Sequence, residues 1–167
     1  MKVIGHVELS SQQAAITFNG IPQSFTDLYL VFSLSTTAAS TNSWFRINGS
    51  TANLSVRTMF GNGSNVTNET VARVVAGTDA EDSNFSNCQM YLLDYAKTTV
   101  NKAWTIEATE GTSGQTSYHT IQSGRFASNS AITSIELYDT GGGNFRVGST
   151  ATLYGITAGS DGITTVS

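Results

Sequence analysis

Apolar and polar residues alternate with a period of two along most of this chain. The strongest run is FTDLYLVFSLS, residues 25–35, which follows the sequence's single proline. Strict alternation is typical of β-strands. Tyr29 and Val31 add apolar character to the second face, which favours a central strand that is covered on both sides. The first face of this run is formed by four apolar residues: Leu28, Leu30, Phe32 and Leu34.

Runs of the same kind recur, separated by turn residues, and predict about ten short strands. In the first of them, residues 3–9, the pattern places Val3, Gly5, Val7 and Leu9 on one face. No segment longer than about ten residues has apolar residues at helical spacing. We therefore expect an all-β fold, a two-sheet antiparallel sandwich of the jelly-roll type with extra edge strands. The other runs are residues 14–18, 43–49, 53–61, 70–77, 85–95, 102–111, 116–127, 132–139 and 150–156.

The length of 167 residues favours one domain. We expect the sandwich to occupy residues 1–158. The polar tail, residues 159–167, contains Ile163 and Val166 and is interpreted as an arm that adds a strand to a neighbouring subunit.

The composition limits the possible partners. Only 12% of the residues are charged, against about 25% in an average soluble domain. The 21 serines and 24 threonines supply polarity without charge. The net charge is −4 and the eight basic residues are scattered, whereas a nucleic-acid binder needs a basic patch that displaces counterions from phosphates. We therefore expect no nucleic-acid partner.

Two further features bear on location. Cys88 is the single cysteine, so no internal disulfide forms, and a buried thiol is the simplest interpretation. The N-terminus has no apolar run of signal-peptide length, and no segment approaches the roughly 20 apolar residues that span a bilayer. We expect synthesis in a bacterial cytoplasm and no membrane partner.

Catalytic residue combinations are sparse in the sequence. His6 and His119 are the candidate general bases, but each lies alone in a strand pattern. Glu107 and Glu110 would point to opposite faces of a predicted strand, so they are poorly placed to act together as a general acid and base. The glycine-rich stretches GTSGQTS and TGGGNF are not followed by helices that would hold phosphate. We predict a protein without enzymatic activity and without a cofactor.

Two binding interpretations remain open. Asp79, Glu81 and Asp82, next to Asn84, could supply oxygen ligands to calcium, although a solvated acidic loop is the more ordinary explanation. A carbohydrate-binding module would display an aromatic platform, but the spacing does not separate an exposed platform from core residues. The four candidate platform residues are Trp44, Trp104, Tyr118 and Tyr138.

The C-terminal stretch NFRVGSTATLYGI, residues 144–156, contains no combination of side chains suited to proton transfer or metal binding. We interpret it as a structural element that completes the fold. Phe145 is expected to close one edge of the core, and Gly148 with Ser149 to allow a sharp change of direction. Leu153 and Tyr154 then fall on opposite faces of a last strand. Gly155 would let a bulky side chain approach the backbone closely.

Three segments of the chain occur in a characteristic order: AITFNGIPQSFTDLYLVFSLS, MYLLDYAKTTVNKAW and SNSAITSIELYDTGGGNFRVGSTATLYGI. This order resembles that in virion structural proteins of tailed bacteriophages, especially marine and cyanobacterial phages. The resemblance covers residues 14–156 and consists of strands and turns rather than catalytic residues. It implies a non-enzymatic structural role, in first place a capsid decoration or cement protein.

A decoration protein of this kind would bind the major capsid protein and copies of itself, typically as a homotrimer at a symmetric lattice site. The resemblance also leaves open a receptor-binding domain of a tail fibre, in which the loops around Asn62 and Gly142 would be the first candidates for host contact. A lectin-like module is the third alternative.

Overall fold

The computed structural model describes residues 1–38, 43–70, 84–111 and 117–157. Eleven β-strands and no helix lie in these ranges. The strands are β1 (Lys2–Glu8), β2 (Ala15–Asn19), β3 (Asp27–Ser33), β4 (Ser43–Ile47), β5 (Leu54–Gly61), β6 (Val66–Glu69), β7 (Asn87–Leu92), β8 (Lys102–Gly111), β9 (Ser117–Phe126), β10 (Ser134–Asp139) and β11 (Thr150–Ile156).

The strands form two antiparallel sheets of unequal size. The large sheet has eight strands in the order β1-β11-β3-β7-β8-β9-β5-β6, and the small sheet has three in the order β2-β10-β4. The first four strands alternate between the sheets, and the last two insert between them, β10 between β2 and β4 and β11 between β1 and β3. This interleaving is that of a jelly roll. The all-β sandwich prediction is confirmed, with the additional strands concentrated on one side of the large sheet.

The core lies between the two sheets. Three of the four predicted core residues lie on β3 and the fourth, Leu34, directly follows it; each is at most 2% exposed. The ring of Phe45 on β4 meets that of Trp104 on β8 edge to face, with centroids 5.2 Å apart, and so joins the small sheet to the large one. Trp104 also lies over Gly124 of the neighbouring β9, where a Cβ would be only 2.1 Å from the indole.

The C-terminal stretch closes the sandwich as predicted. Phe145 is fully buried, and Gly148 adopts a positive φ of 84° that favours glycine. On β11, Leu153 is buried while Tyr154 lies half-buried on the opposite face. The ring of Phe25 covers Gly155 so closely that a Cβ there would lie 2.3 Å from it.

Three details of the sequence prediction are wrong. A β-bulge between Val3 and Gly5 breaks the alternation of β1, so Val3 is 53% exposed instead of sharing the face of Gly5. The turn-rich segment after β5 contains a strand, β6, which pairs with β5 as a hairpin. On β3, Tyr29 and Val31 are half-buried on an outward face rather than covered as in a two-sided central strand.

Candidate functional site: the outer face of the large sheet

The outer face of the large sheet consists of the residues that alternate with the buried ones. On β8, for example, Trp104 and Ile106 are buried, whereas Thr105 and Glu107, which alternate with them, are exposed. Strand register aligns these outward residues in rows that cross the sheet. One row crosses all eight strands: His6, Thr152, Val31, Gln89, Glu107, Ile121, Met59 and Asn68.

A second row places three tyrosines on adjacent strands. Tyr154, Tyr29 and Tyr91 are in register on β11, β3 and β7. The ring of Tyr29 lies 6.5 Å from that of Tyr91 and 6.4 Å from that of Tyr154, within the range of aromatic pairs. All three are half-buried, so each ring keeps surface that a partner can contact.

A concavity of about 400 Å³ is lined by residues of both rows, where they run side by side across β3, β7 and β8. We call it the tyrosine concavity. It combines two aromatic rings, one aliphatic side chain and several neutral or acidic polar groups. Its outward-facing lining residues are Tyr29, Gln89, Tyr91, Thr105, Glu107 and Ile121.

A chain of hydrogen bonds links the polar side chains of this region across four strands. The Tyr29 hydroxyl donates to Gln89 Oε1, and Gln89 Nε2 donates to Glu107 Oε2 over 2.8 Å. Glu107 Oε1 lies 3.2 Å from Nε2 of His119. Each member thereby restricts the orientation of the next, so the groups are held in place before any partner arrives.

The Tyr91 ring is fixed from the other side. Its hydroxyl donates to Asp27 Oδ2 over 2.8 Å, and the backbone N–H of Asp94 donates to Asp27 Oδ1 over 2.8 Å. The hydrogen bond to the carboxylate, with burial and the carboxylate's charge, raises the pKa of the Tyr91 phenol above its usual value. The phenol therefore stays protonated and remains a donor to Asp27.

The outer face continues beyond Ile121 into a more apolar region. Met59 pairs with Ile121 across β5 and β9, and Val66 lies next to them on β6. Their exposed fractions are 46%, 47% and 70% respectively. We call these three residues the apolar patch. Two shallow depressions of about 400 and 240 Å³ both include Met59 and Ile121, so the patch is contoured rather than flat.

The two histidines predicted as candidate bases do not meet. His6 is on β1 and His119 on β9, five strand spacings apart, which is on the order of 24 Å. His6 Nδ1 lies 2.7 Å from the Thr152 hydroxyl, and the partner of His119 is a carboxylate rather than a nucleophile. Cys88 is buried on the inner face, as predicted. Glu107 points outward; the side chain of Glu110 is outside the described residues.

The four aromatic residues predicted as a possible platform do not form one. Trp104 is in the core, 2% exposed. Trp44 and Tyr138 are cross-strand partners on the small sheet, where Arg46 lies over the Tyr138 ring, 3.8 Å from its centroid. Tyr118 packs against Phe60, with ring centroids 6.2 Å apart. Sequence reasoning missed the row of Tyr29, Tyr91 and Tyr154, although all three occupy outward parity in recognised strands.

Two further predictions, a calcium-binding loop and a C-terminal arm, concern residues that the structure does not describe. Asp79, Glu81 and Asp82, the possible calcium loop, and the tail at 159–167 are outside the described residues. Within the described ranges, no group of three or more His, Cys, Asp or Glu side chains is close enough together to hold a metal ion. No helix in these same ranges has the length and apolar character needed to cross a membrane.

Comparison with protein-family models, with curated proteins and with solved structures returns no match for this chain.

Proposed function

We propose that this chain is a non-enzymatic structural protein of a tailed-phage virion, which binds the assembled shell as a capsid decoration protein. Its partners would be the major capsid protein and copies of itself in a homotrimer. The proposal combines the resemblance of residues 14–156 to phage virion proteins with a surface suited to protein contact. It places the mature protein on the phage particle after synthesis in the bacterial host.

The apolar patch is the observation that carries this proposal. Its three side chains lie together on one sheet face, each with 46% or more of its surface exposed. Scattered apolar residues are common on protein surfaces, but a contiguous group marks an interaction site. Phe60 and Tyr118 alternate with Met59 and Ile121 along β5 and β9, so they lie on the opposite face and do not belong to the patch. Aromatic residues and methionine are enriched in the centres of protein interfaces.

The low charge of the chain suggests the kind of contact. An interface formed by apolar side chains, threonines and amides does not depend on ion pairs. At 0.1 M ionic strength, salt largely screens the interaction between exposed charges that are more than about 10 Å apart, and higher salt shortens this distance. Apolar contacts are not screened. We therefore expect the chain to remain on the shell at high salt, and release by salt alone would contradict the proposed mode of binding.

The copy number of the chain in purified virions tests the location. Quantitative mass spectrometry against the major capsid protein should find copies in the hundreds if the chain decorates the shell. Virions that lack the chain should lose genome at lower temperature than wild type, since cement proteins reinforce contacts between capsomers. A copy number of a few to a few dozen would reject decoration.

The second candidate function is a receptor-binding domain of a tail fibre. The tyrosine concavity favours it, because a built cleft with oriented polar groups is typical of a site that recognises a small ligand. This candidate predicts few copies per virion and loss of adsorption, rather than a fragile shell, when the chain is removed.

A further inference from the structure

We propose that the tyrosine concavity binds a neutral saccharide. This proposal does not rest on capsid decoration, because the concavity lies on β3, β7, β8 and β9, whereas the apolar patch lies on β9, β5 and β6. The two regions share only Ile121. The inference follows from the shape of the concavity, its apolar surfaces, its polar groups and its charge.

The size and lining of the concavity suit a small ligand. Its volume of about 400 Å³ falls within the range of 300–1,000 Å³ that is common for ligand sites. Such sites combine apolar walls with a few polar groups that fix orientation. The tyrosine concavity has this composition, with Tyr29, Tyr91 and Ile121 as its apolar surfaces.

The apolar surfaces match one side of a pyranose ring, whose axial C–H groups form an apolar face that stacks on aromatic rings. The two tyrosines are held for this purpose, Tyr29 by its hydrogen bond to Gln89 and Tyr91 by its hydrogen bond to Asp27. Because the rings are already oriented, little conformational entropy is lost when a ligand stacks on them.

The polar groups match the hydroxyls at the rim of the same sugar. Gln89 offers an amide, Glu107 a carboxylate and Thr105 a hydroxyl, all on the outward face. A carboxylate has about four acceptor sites, so Glu107 retains acceptor capacity beyond its bonds to Gln89 and His119. Adjacent sugar hydroxyls can donate to such a carboxylate while they accept from an amide.

The charge of the lining selects among ligands. None of its residues is lysine or arginine, so an anionic group such as phosphate, sulfate or a sialic acid carboxylate has no counter-charge there. The single carboxylate, Glu107, is already bonded by Gln89 and His119, which reduces its attraction for a cation. An uncharged ligand with many hydroxyls fits this environment best.

The test begins with the full chain on an array of immobilised oligosaccharides that contains matched neutral, sialylated and sulfated members. Each neutral oligosaccharide that binds is then titrated in solution by isothermal titration calorimetry. Tetramethylammonium is titrated separately as a cationic probe. The site variants are Tyr29→Ala and Gln89→Ala. Their matched controls are Tyr138→Ala, on the small sheet, and Gln13→Ala, in the loop between β1 and β2.

We expect binding of neutral members in preference to their acidic counterparts. Each site variant should weaken binding about tenfold or more, because stacking surface or oriented hydrogen bonds are lost, while the controls stay within about twofold. Gln89 is exposed, so Gln89→Ala reports on the site even if Tyr29→Ala lowers the melting temperature. The proposal is overturned if no neutral oligosaccharide binds, if both site variants bind as wild type, or if acidic members or tetramethylammonium bind more tightly.

Discussion

The inner and outer faces of the large sheet belong to the same strands, but packing constrains the residues of the inner face and leaves those of the outer face free to vary. On β9, Gln122 and Phe126 face inward and are at most 5% exposed, while Ile121 and Ser123 face outward. Inner residues are selected by volume, since close packing leaves no room for variation. Exposed outer residues that make no buried hydrogen bond contribute little to stability, so their apolar content is better explained by binding. Substitutions on the two faces should therefore separate stability from function.

The largest loss of stability is expected from a methyl group on the inner face at Gly124. A Cβ there would lie 2.1 Å from Trp104 and 2.6 Å from the Ser55 carbonyl oxygen. Both the indole and strand β5 would have to move, so Gly124→Ala should lower the free energy of unfolding by about 3 kcal/mol. Urea denaturation measures the loss. Ser123→Ala, on the outward face of the same strand, is the control and should change it by less than about 0.5 kcal/mol.

A double-mutant cycle identifies the cause. If the clash with the indole is responsible, Gly124→Ala should cost much less in a Trp104→Leu background, because the smaller side chain leaves room for the methyl group. An equal cost in both backgrounds would assign the effect to strand β5 or to the glycine backbone instead.

The next largest effect is expected at Asp27, where the outer face meets the end of the sheet. Its carboxylate accepts from the Tyr91 hydroxyl and the Asp94 N–H. Asp27→Asn replaces charge-assisted acceptors by one amide oxygen and should cost about 2 kcal/mol. Asp94→Asn is the matched control, because Asp94 makes an exposed ion pair with Lys97 and should cost no more than about 0.5 kcal/mol. Equal costs for the two substitutions would contradict the role assigned to Asp27.

The same contact predicts a dependence of stability on alkaline pH. The pKa of Tyr91 is raised in the folded protein, so the folded state holds this proton more tightly than the unfolded state does. The stabilisation is fully present below the usual tyrosine pKa of 10.0 and is lost as pH rises through the higher folded value. The stability of wild type should therefore fall relative to that of Tyr91→Phe above pH 10, as measured by urea denaturation. Parallel pH profiles would contradict this assignment.

The inner face could be read from the sequence because packing imposes a pattern. The alternation of Leu28, Leu30 and Phe32 predicts both the strand and its buried face, and the structure agrees. The failure at Val3 has a local cause, since a bulge reverses the facing of residues and leaves no clear mark in the pattern. Strand β6 was missed because its residues, Val66–Glu69, are mostly exposed and polar and so show no amphipathic signal.

The candidate site was much less accessible to sequence reasoning, for a topological reason. Tyr29, Tyr91 and Tyr154 are up to 125 positions apart in the chain and become neighbours only through the order β11-β3-β7. Parity alone places each of them on an outward face, but it does not identify the neighbouring strand. The same holds for Gln89, Glu107 and His119. The strand order and register, added to the alternation pattern, are enough to predict that these residues lie together.

The smallest effect on stability, and the largest on proposed function, is expected at the apolar patch. Met59→Ser and Ile121→Ser remove outward side chains that are nearly half exposed, so each should change the free energy of unfolding by no more than about 0.5 kcal/mol. If the patch contacts the shell, the double variant should fail to sediment with capsids that lack the chain, whereas Val3→Ser, exposed on β1 at the far edge, should sediment as wild type. Since we expect both variants to remain folded, which urea denaturation checks, normal sedimentation of the double variant would show that the shell contacts a different surface.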